Sequence, residues 1–152
     1  MIGFKDMPAH SRVWVYQSGR EFTSSEVESI RKKAEEFISQ WTSHDQLMKA
    51  SIEIFHNLFV VVCVDEKTAP ASGCGIDKSV KFIQELEKEL SVSLMDRMQA
   101  ACRSNGKIIS CKLPELKDHK GETVFNNLVH TKEELEKNWE VPIEKSWHKQ
   151  FI

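Results

Sequence analysis

The chain lacks any apolar run long enough to cross a membrane. Its longest run, LFVVVCV at 58–64, has the length of a strand, whereas a membrane-spanning helix needs about 18 consecutive apolar residues or more. The first ten residues, MIGFKDMPAH, contain neither the basic start nor the apolar stretch of a signal peptide. We therefore expect a cytoplasmic protein that has no membrane partner.

A strong excess of either charge is also missing. The 152 residues include 21 Lys and Arg against 23 Asp and Glu, which gives a formal net charge of −2. Nucleic-acid-binding domains usually carry a basic face that attracts phosphates. The aromatic VWVY at 13–16 would suit the base-stacking sheet of an RNA-recognition module, but the third predicted strand lacks the basic and aromatic motif of such modules. Nucleic acid is therefore not an expected partner.

Cysteines are few, and their spacing matches no known metal motif. The sequence contains Cys63, Cys74, Cys102 and Cys111. There is no CxxC and no zinc-type spacing with the six histidines, so we expect neither a metal site nor a cofactor. A two-residue turn at Asn105-Gly106 would place Cys102 opposite Ile109 and Cys111 one diagonal step away, roughly 7–8 Å and too far for a disulfide. We expect four reduced thiols, as in the cytoplasm.

Hydrophobic periodicity and turn residues predict a chain that mixes helices and strands. Two capping boxes, TSSE and TKEE, mark helix starts. In chain order, the expected elements are a strand at 12–17, a helix from 23 to about 41, strands at 49–55 and 58–65, a loop at 66–75, a helix at 76–90, a hairpin of strands 98–103 and 107–113, a solvated loop at 114–122, a helix from 131 that Pro142 ends, and an aromatic tail at 146–151.

The order of these elements favours a ferredoxin-like fold. The first six match the βαββαβ sandwich, to which the chain adds an antiparallel strand, a C-terminal helix and the aromatic tail. No repeat, low-complexity tract or linker divides the sequence, so we expect a single α+β domain over 1–152. We also expect the strand with Trp14 to be central, and Trp139, Trp147 and Phe151 to cover its sheet face.

This topology predicts that two loops meet at one end of the sheet. They are TSHDQ, which follows the first helix, and the loop that follows the third strand. The titratable side chains expected to converge there are His44, Asp45, Asp65, Cys74, Asp77 and Lys78, with His10 near them.

A site at that end would suit thiol chemistry or anion binding. Cys74 would lie at the N-terminus of the second helix, where the dipole favours a thiolate. His44 would act as the base, with Asp65 or Asp45 orienting its ring. Backbone amides between two glycines could hold an oxyanion or a phosphate. The candidate residues for binding a small anionic ligand are Ser72, Gly73, Gly75, Asp77, Lys78 and Asp45.

The same stretch also fits a turn that has only a structural role. The two glycines would then supply unusual backbone angles, and Cys74 would be a small packing residue. The protein would in that case be a non-enzymatic interaction module, with an apolar sheet face as a homodimer surface. A phosphate loop ending in Lys78-Ser79 is excluded, because Ser72 and Asp77 occupy its two glycine positions.

Several stretches resemble a small family of uncharacterised bacterial proteins that often carry the label "ABC transporter ATPase". They include RVWVYQSGR, QWTSHDQLMKASIEI, ASGCGIDKSVKFIQELE, LMDRMQAA, VFNNLVHTKEELEKNWEVP and SWHKQF. The resemblance implies a cytosolic protein, but the chain has neither a phosphate loop nor an LSGGQ-like signature to support the label. Family members are similar at the W-x-x-H of Trp41–His44 and the S-G-C of residues 72–74. Many have glycine where this chain has Asp45.

Overall fold

The computed structural model describes residues 1–67 and 71–152, so that residues 68–70 of the loop expected at 66–75 lie outside it. The strands are β1 (Arg12–Gln17), β2 (Thr42–Ser43), β3 (Gln46–Leu47), β4 (Ala50–Phe55), β5 (Phe59–Val64), β6 (Gln99–Ser104), β7 (Lys107–Lys112), β8 (Thr123–Phe125) and β9 (Glu140–Pro142). The α-helices are α1 (Ser24–Gln40), α2 (Gly73–Leu90) and α3 (Lys132–Asn138). Short 3-10 helices span Phe4–Asp6, Leu113–His119, Ile143–Lys145 and Trp147–Phe151. The predicted α+β class is confirmed, and no helix among the described residues is long and apolar enough to cross a bilayer.

The first sheet has the strand order β1-β5-β4 and is antiparallel throughout. Its central strand β5 is the most apolar segment of the chain, as predicted, and all six of its residues are buried. Alternate side chains point to opposite faces of a strand. Val60, Val62 and Val64 therefore join the core cluster on the face that α1 and α2 cover. Phe59 and Val61 join the core cluster on the opposite face.

The second sheet has the order β7-β6-β8-β9 and is also antiparallel. It contains the strand that we expected to complete a single ferredoxin-like sheet, and that arrangement is not confirmed. The hydrogen-bonding edges of β6 are taken by β7 on one side and by β8 on the other, so β6 does not extend the first sheet beside β1. As a consequence, β1 is an edge strand and not a central one.

The first sheet is buried on both faces. Helices α1 and α2 cover one face, where Trp14 and Tyr16 pack against the buried side chains that the two helices contribute to the core. The opposite face carries an aromatic cluster in which Phe59 contacts Phe125 and Trp139, with ring centroids 5.1 and 4.7 Å apart. The expectation that Trp139 covers the face of Trp14 is therefore wrong. The reason is that Phe125 of β8, Leu135 of α3 and Trp139 pack on the other side of the sheet.

Local signals set the helix ends well. The capping box of α1 is confirmed, since the Thr23 hydroxyl accepts from the Glu26 amide at 3.2 Å and Glu26 accepts from the Thr23 amide at 2.9 Å. Two expectations need correction. Part of the solvated loop is a 3-10 helix that buries Leu113 and Leu116, which are spaced three apart as its period requires. Helix α3 ends before Pro142, which instead closes the edge strand β9.

Candidate functional site

The two loops predicted to meet are in contact. Ser72 is the N-cap of α2, and its hydroxyl accepts from the Gly75 amide at 3.2 Å. The same hydroxyl lies 2.5 Å from the Ser43 hydroxyl on β2. The Trp41 indole donates to the Gly75 carbonyl at 2.9 Å, and the Lys78 ammonium donates to the backbone carbonyl that precedes Ser43 at 3.0 Å. The first turn of α2 therefore packs on the hairpin of β2 and β3.

Gly75 has a packing role at this contact. A Cβ atom at this position would lie 3.3 Å from the Ser43 Cβ, which is closer than ordinary van der Waals contact. The indole bond to its carbonyl adds to this close approach of helix and hairpin. At Gly73 an added Cβ would meet nothing within 4 Å, so the two glycines that flank Cys74 are not equivalent.

The candidate nucleophile and base lie on exposed positions. Cys74 is on the first turn of α2, followed by the exposed Asp77. His44 and Asp45 form the tip of the β2–β3 hairpin, where both have left-handed backbone with φ of 53° and 61°. A two-residue type I′ turn requires such angles, and glycine adopts them most readily. The hairpin residues that contact α2 are those before this tip.

Asp65 is held at the end of β5 by His10 and Lys49. Its side chain is 6% exposed and lies 3.0 Å from the Nε2 atom of His10 and 3.6 Å from the Nζ atom of Lys49. The same carboxylate accepts from the backbone amide of Lys67 at 3.1 Å. The expectation that His10 lies near this end of the sheet is thus met, and Asp65 ties the N-terminal segment to the end of β5.

A groove of about 730 Å³ follows the outer edge of β1, and sequence reasoning missed it. Its floor is β1 from Arg12 to Gln17. Segments 94–99 and 127–130 line its sides, together with Trp147 and His148. Its volume is typical of ligand sites in proteins. To predict the groove, one would need to know that β1 lies at the edge of its sheet. That position depends on which strands β6 pairs with.

The outer edge of β1 is covered at both ends, and between these ends the part of the chain that the structure describes provides no backbone partner. The Val13 amide donates outward to the His130 carbonyl at 3.0 Å, and beyond β1 the Gly19 amide donates to the Ser93 carbonyl at 3.0 Å. Inward and outward groups alternate along an edge strand. The outward backbone groups between these two contacts therefore belong to Val15 and Gln17, and both residues line the groove.

Basic side chains dominate the charge of the groove. The Arg12 guanidinium lies 4.7 Å above the ring of Trp14, and its Nε atom is buried without a hydrogen-bond partner among the described residues. Arg97 is exposed on the adjoining segment. The acid of the groove, Asp96, accepts from the Lys112 ammonium at 2.6 Å, and this bond holds its pKa below the usual value. The groove thus suits a ligand that carries a carboxylate.

His148 adds a neutral wall to the groove. It is 2% exposed, its Nδ1 atom lies 2.6 Å from the Ser146 hydroxyl, and its ring stacks on Trp147 at 3.8 Å. Burial lowers the pKa of His148 to about 4. The imidazole is therefore uncharged at neutral pH.

A second cluster of reactive side chains lies on the other sheet. Cys102 on β6 and Cys111 on β7 are diagonal neighbours, because Cys102 pairs with Ile109 as predicted. The hydrogen bond between the two thiols is the main cause that raises the pKa of Cys102, and burial raises it further. The same hydrogen bond lowers the pKa of Cys111. His119 and Glu122 lie beside Cys102, with ligand atoms within 4.8 Å of one another. All four cysteines of the chain are free thiols, and Cys74 alone among them is exposed.

Comparison with known proteins does not add an identity to this geometry. No family model, no curated protein and no solved structure matches the chain. Any function must therefore be argued from the groove on β1, the contact of α2 with its hairpin, and the thiol cluster of the second sheet.

Proposed function

We propose that this protein is a cytoplasmic, non-enzymatic interaction module that binds a short extended peptide along the open edge of β1. The observation that carries the proposal is the pair of outward backbone positions on the floor of the groove, the part-exposed Val15 and the buried Gln17, which is 5% exposed. An unpaired strand edge offers backbone donors and acceptors in the spacing that an added strand needs. A segment of about three to five residues would occupy this opening.

Exposed apolar side chains at the groove support binding of a peptide. Five large hydrophobic side chains are exposed among the described residues. Two of them, Met95 and Leu128, line the groove, and Met98 lies on the same segment as Met95. Methionines adapt their shape to different partners, which suits a binding surface. Leu128 is 70% exposed, so a bound peptide would shield it from water.

The charge of the groove selects a peptide that bears a carboxylate. Arg12 has a buried Nε donor without a hydrogen-bond partner among the described residues, while its Nη1 atom lies 4.0 Å from the Glu66 carboxylate; Arg97 is an exposed residue of the groove lining. Arginine binds carboxylates through two parallel hydrogen bonds. The carboxylate would come either from an acidic side chain or from the C-terminus of the peptide.

A second copy of this chain fits the edge less well than a peptide does. Two β1 strands would need a long shared edge in order to pair, but segment 127–130 and the residues near Ser93 cover the two ends of β1. The opening between them is only a few residues long. A narrow ligand such as a peptide can enter it. A homodimer through this edge is treated as an alternative outcome of the experiment below.

Display screening against the full chain tests the proposal. One library presents random peptides with free C-termini, and the other presents them as internal segments, so that the two sources of the carboxylate are separated. We expect enriched peptides with alternating apolar residues and one carboxylate. Val15→Pro removes an outward amide at a position where an edge strand tolerates proline, and we expect it to weaken binding about 10-fold or more.

A matched pair of surface variants provides the control. Leu128→Glu should weaken binding about 10-fold, whereas Leu47→Glu, at a 58% exposed leucine on the β2–β3 hairpin, should leave it unchanged. Enrichment of no peptide, or binding that survives both Val15→Pro and Leu128→Glu, would contradict the proposal. A dimer in gel filtration that Val15→Pro converts into a monomer would assign the edge to a second copy instead.

The site around Cys74 is a second candidate, favoured by the exposure of this thiol on the first turn of an 18-residue helix. We propose thiol chemistry there with His44 as base, Asp65 or Asp45 as the orienting acid, and the α2 amides and Lys78 as anion donors. If His44 activates the thiol, iodoacetamide should label Cys74 several-fold faster at pH 6.5 than it labels a free cysteine peptide. His44→Ala should abolish that advantage, with His130→Ala as the control. Equal rates in the protein and in the peptide would show that Cys74 is an ordinary exposed thiol that His44 does not activate, and not the small packing residue that the structural interpretation of the turn expected.

A further inference from the structure

Cys102 and Cys111 converge on one face of the second sheet. They lie on β6 and β7, the two strands of the Asn105-Gly106 hairpin, and Cys102 is fully buried whereas Cys111 is half-buried. Diagonal neighbours in such a hairpin have Cα atoms roughly 7–8 Å apart, beyond the reach of an unstrained disulfide. These thiols thus face each other without being placed to oxidise to a disulfide.

A tight turn brings two further side chains to the same place. The Glu122 amide donates to the His119 carbonyl at 3.1 Å, and the His119 Nδ1 atom lies 2.9 Å from the Glu122 carboxylate. The turn follows the 3-10 helix that Leu113 and Leu116 anchor in the core. Gly121 within it has φ of 86°, a left-handed angle that glycine adopts without strain. The backbone therefore fixes His119 and Glu122 above the thiols.

We propose that Cys102, Cys111, His119 and Glu122 bind one zinc-class divalent cation. Ligand atoms of Cys102, His119 and Glu122 all lie within 4.8 Å of one another. Cys111 lies outside this group of three and is the diagonal neighbour of Cys102 across the hairpin. Tetrahedral zinc has bonds of about 2.3 Å to sulfur and about 2.0 Å to nitrogen or oxygen, which places its ligand atoms roughly 3.3–3.8 Å apart. Small side-chain movements would bring these three ligand atoms to such distances, and rotation of the Cys111 side chain would supply the fourth ligand.

The donor set selects the metal. Two thiolates with one imidazole and one carboxylate suit zinc, whereas magnesium and calcium prefer oxygen ligands alone. On binding, each cysteine gives its thiol proton to solvent and bonds the cation as a thiolate. Four protein ligands leave no position for substrate, as in structural zinc sites. The cation would join the β6–β7 hairpin to the segment that enters β8.

A second layer of contacts supports the same geometry. The Ser104 hydroxyl donates to the Glu122 carboxylate at 3.1 Å, so one oxygen of Glu122 is oriented while the other faces His119. Such outer hydrogen bonds fix the direction of a ligand, and their loss weakens metal binding about 10–100-fold. Ser104→Ala is therefore informative, because it removes this supporting hydrogen bond and leaves all four proposed ligands in place.

Cobalt titration of the chelator-treated, reduced full chain tests the site. We expect Co²⁺ to bind in a 1:1 ratio with sulfur-to-cobalt charge transfer and the intense visible bands of a tetrahedral complex, which zinc then displaces. Cys111→Ser and His119→Ala should remove these bands, and Ser104→Ala should raise the Kd for Co²⁺ about 10–100-fold. Cys74→Ser is the control and should leave the spectrum unchanged.

The choice of variants keeps the test decisive. Cys102 is fully buried, so its replacement risks unfolding the sheet, whereas Cys111 and His119 are both part-exposed. A weak, octahedral-type cobalt spectrum would overturn the proposal. So would full charge-transfer bands that persist in Cys111→Ser and His119→Ala, or that disappear in Cys74→Ser.

Discussion

Replacing Phe59 by alanine is expected to lower the free energy of unfolding by about 3–5 kcal/mol. Phe59 is fully buried on the central strand β5, and its ring contacts Phe125 and Trp139. Phe125 belongs to β8, and Trp139 lies between α3 and β9. The alanine variant would leave a cavity at the point where the two sheets meet, and both layers lose contacts with it.

Urea unfolding followed by circular dichroism measures this effect. Phe59→Leu is the matched control, because it keeps most of the volume and should cost about 1.5 kcal/mol or less. A loss below about 1 kcal/mol for the alanine variant would show that the aromatic cluster does not hold the two sheets together. An equal loss for alanine and leucine would point to ring-specific contacts in place of cavity formation.

Acidification from pH 7.5 to pH 4 is expected to cost about 3 kcal/mol of stability through His148 alone. Burial lowers the pKa of this imidazole to about 4 in the folded protein, against about 6.5 for an unperturbed histidine. Between these values the unfolded chain binds a proton that the folded chain does not. The stabilising effect is therefore complete above pH 6.5 and is lost as the pH falls toward 4.

The difference in pH dependence between the native chain and His148→Gln isolates this group. The variant starts from its own stability at pH 7.5, and only its slope between pH 6.5 and pH 4 is compared. In the middle of this range, we expect the free energy of unfolding of the variant to change less steeply with pH, by the equivalent of about one bound proton. Parallel stability curves would show that His148 is protonated equally in both states. His130→Gln, an exposed residue of the same groove, serves as the control.

Local sequence signals predicted the elements closely because they act over a few residues. The capping residues Thr23 and Thr131 begin α1 and α3, and Asn105-Gly106 forms the hairpin turn with φ of 51° and 79°. The register of that hairpin followed from its turn, so Cys102 faces Ile109 as expected. In the loop at 114–122, the polar residues concealed the spacing of Leu113 and Leu116, which forms a 3-10 helix.

The candidate sites also differ in whether they depend on local signals or on partners that are distant in the sequence. Ser72 and Gly75 lie at a helix start that the sequence predicts, and the topology brings them to Ser43; their role in binding a ligand stays a prediction. The thiol cluster was missed because His119 comes from a segment read as solvated. The groove was missed because Trp14 was expected on a central strand. In both cases the missing information was a partner distant in the sequence.

The sequence by itself determined the α+β class, most helix and strand bounds, the central position of β5 and the same-face placement of Cys102 and Cys111. Only the tertiary structure decided which sheet β6 joins. A strand has two edges that can pair with any compatible strand, and its own residues do not specify the choice. Here β7 and β8 take both edges. That choice leaves β1 open as the floor of a groove and carries His119 and Glu122 to the two thiols.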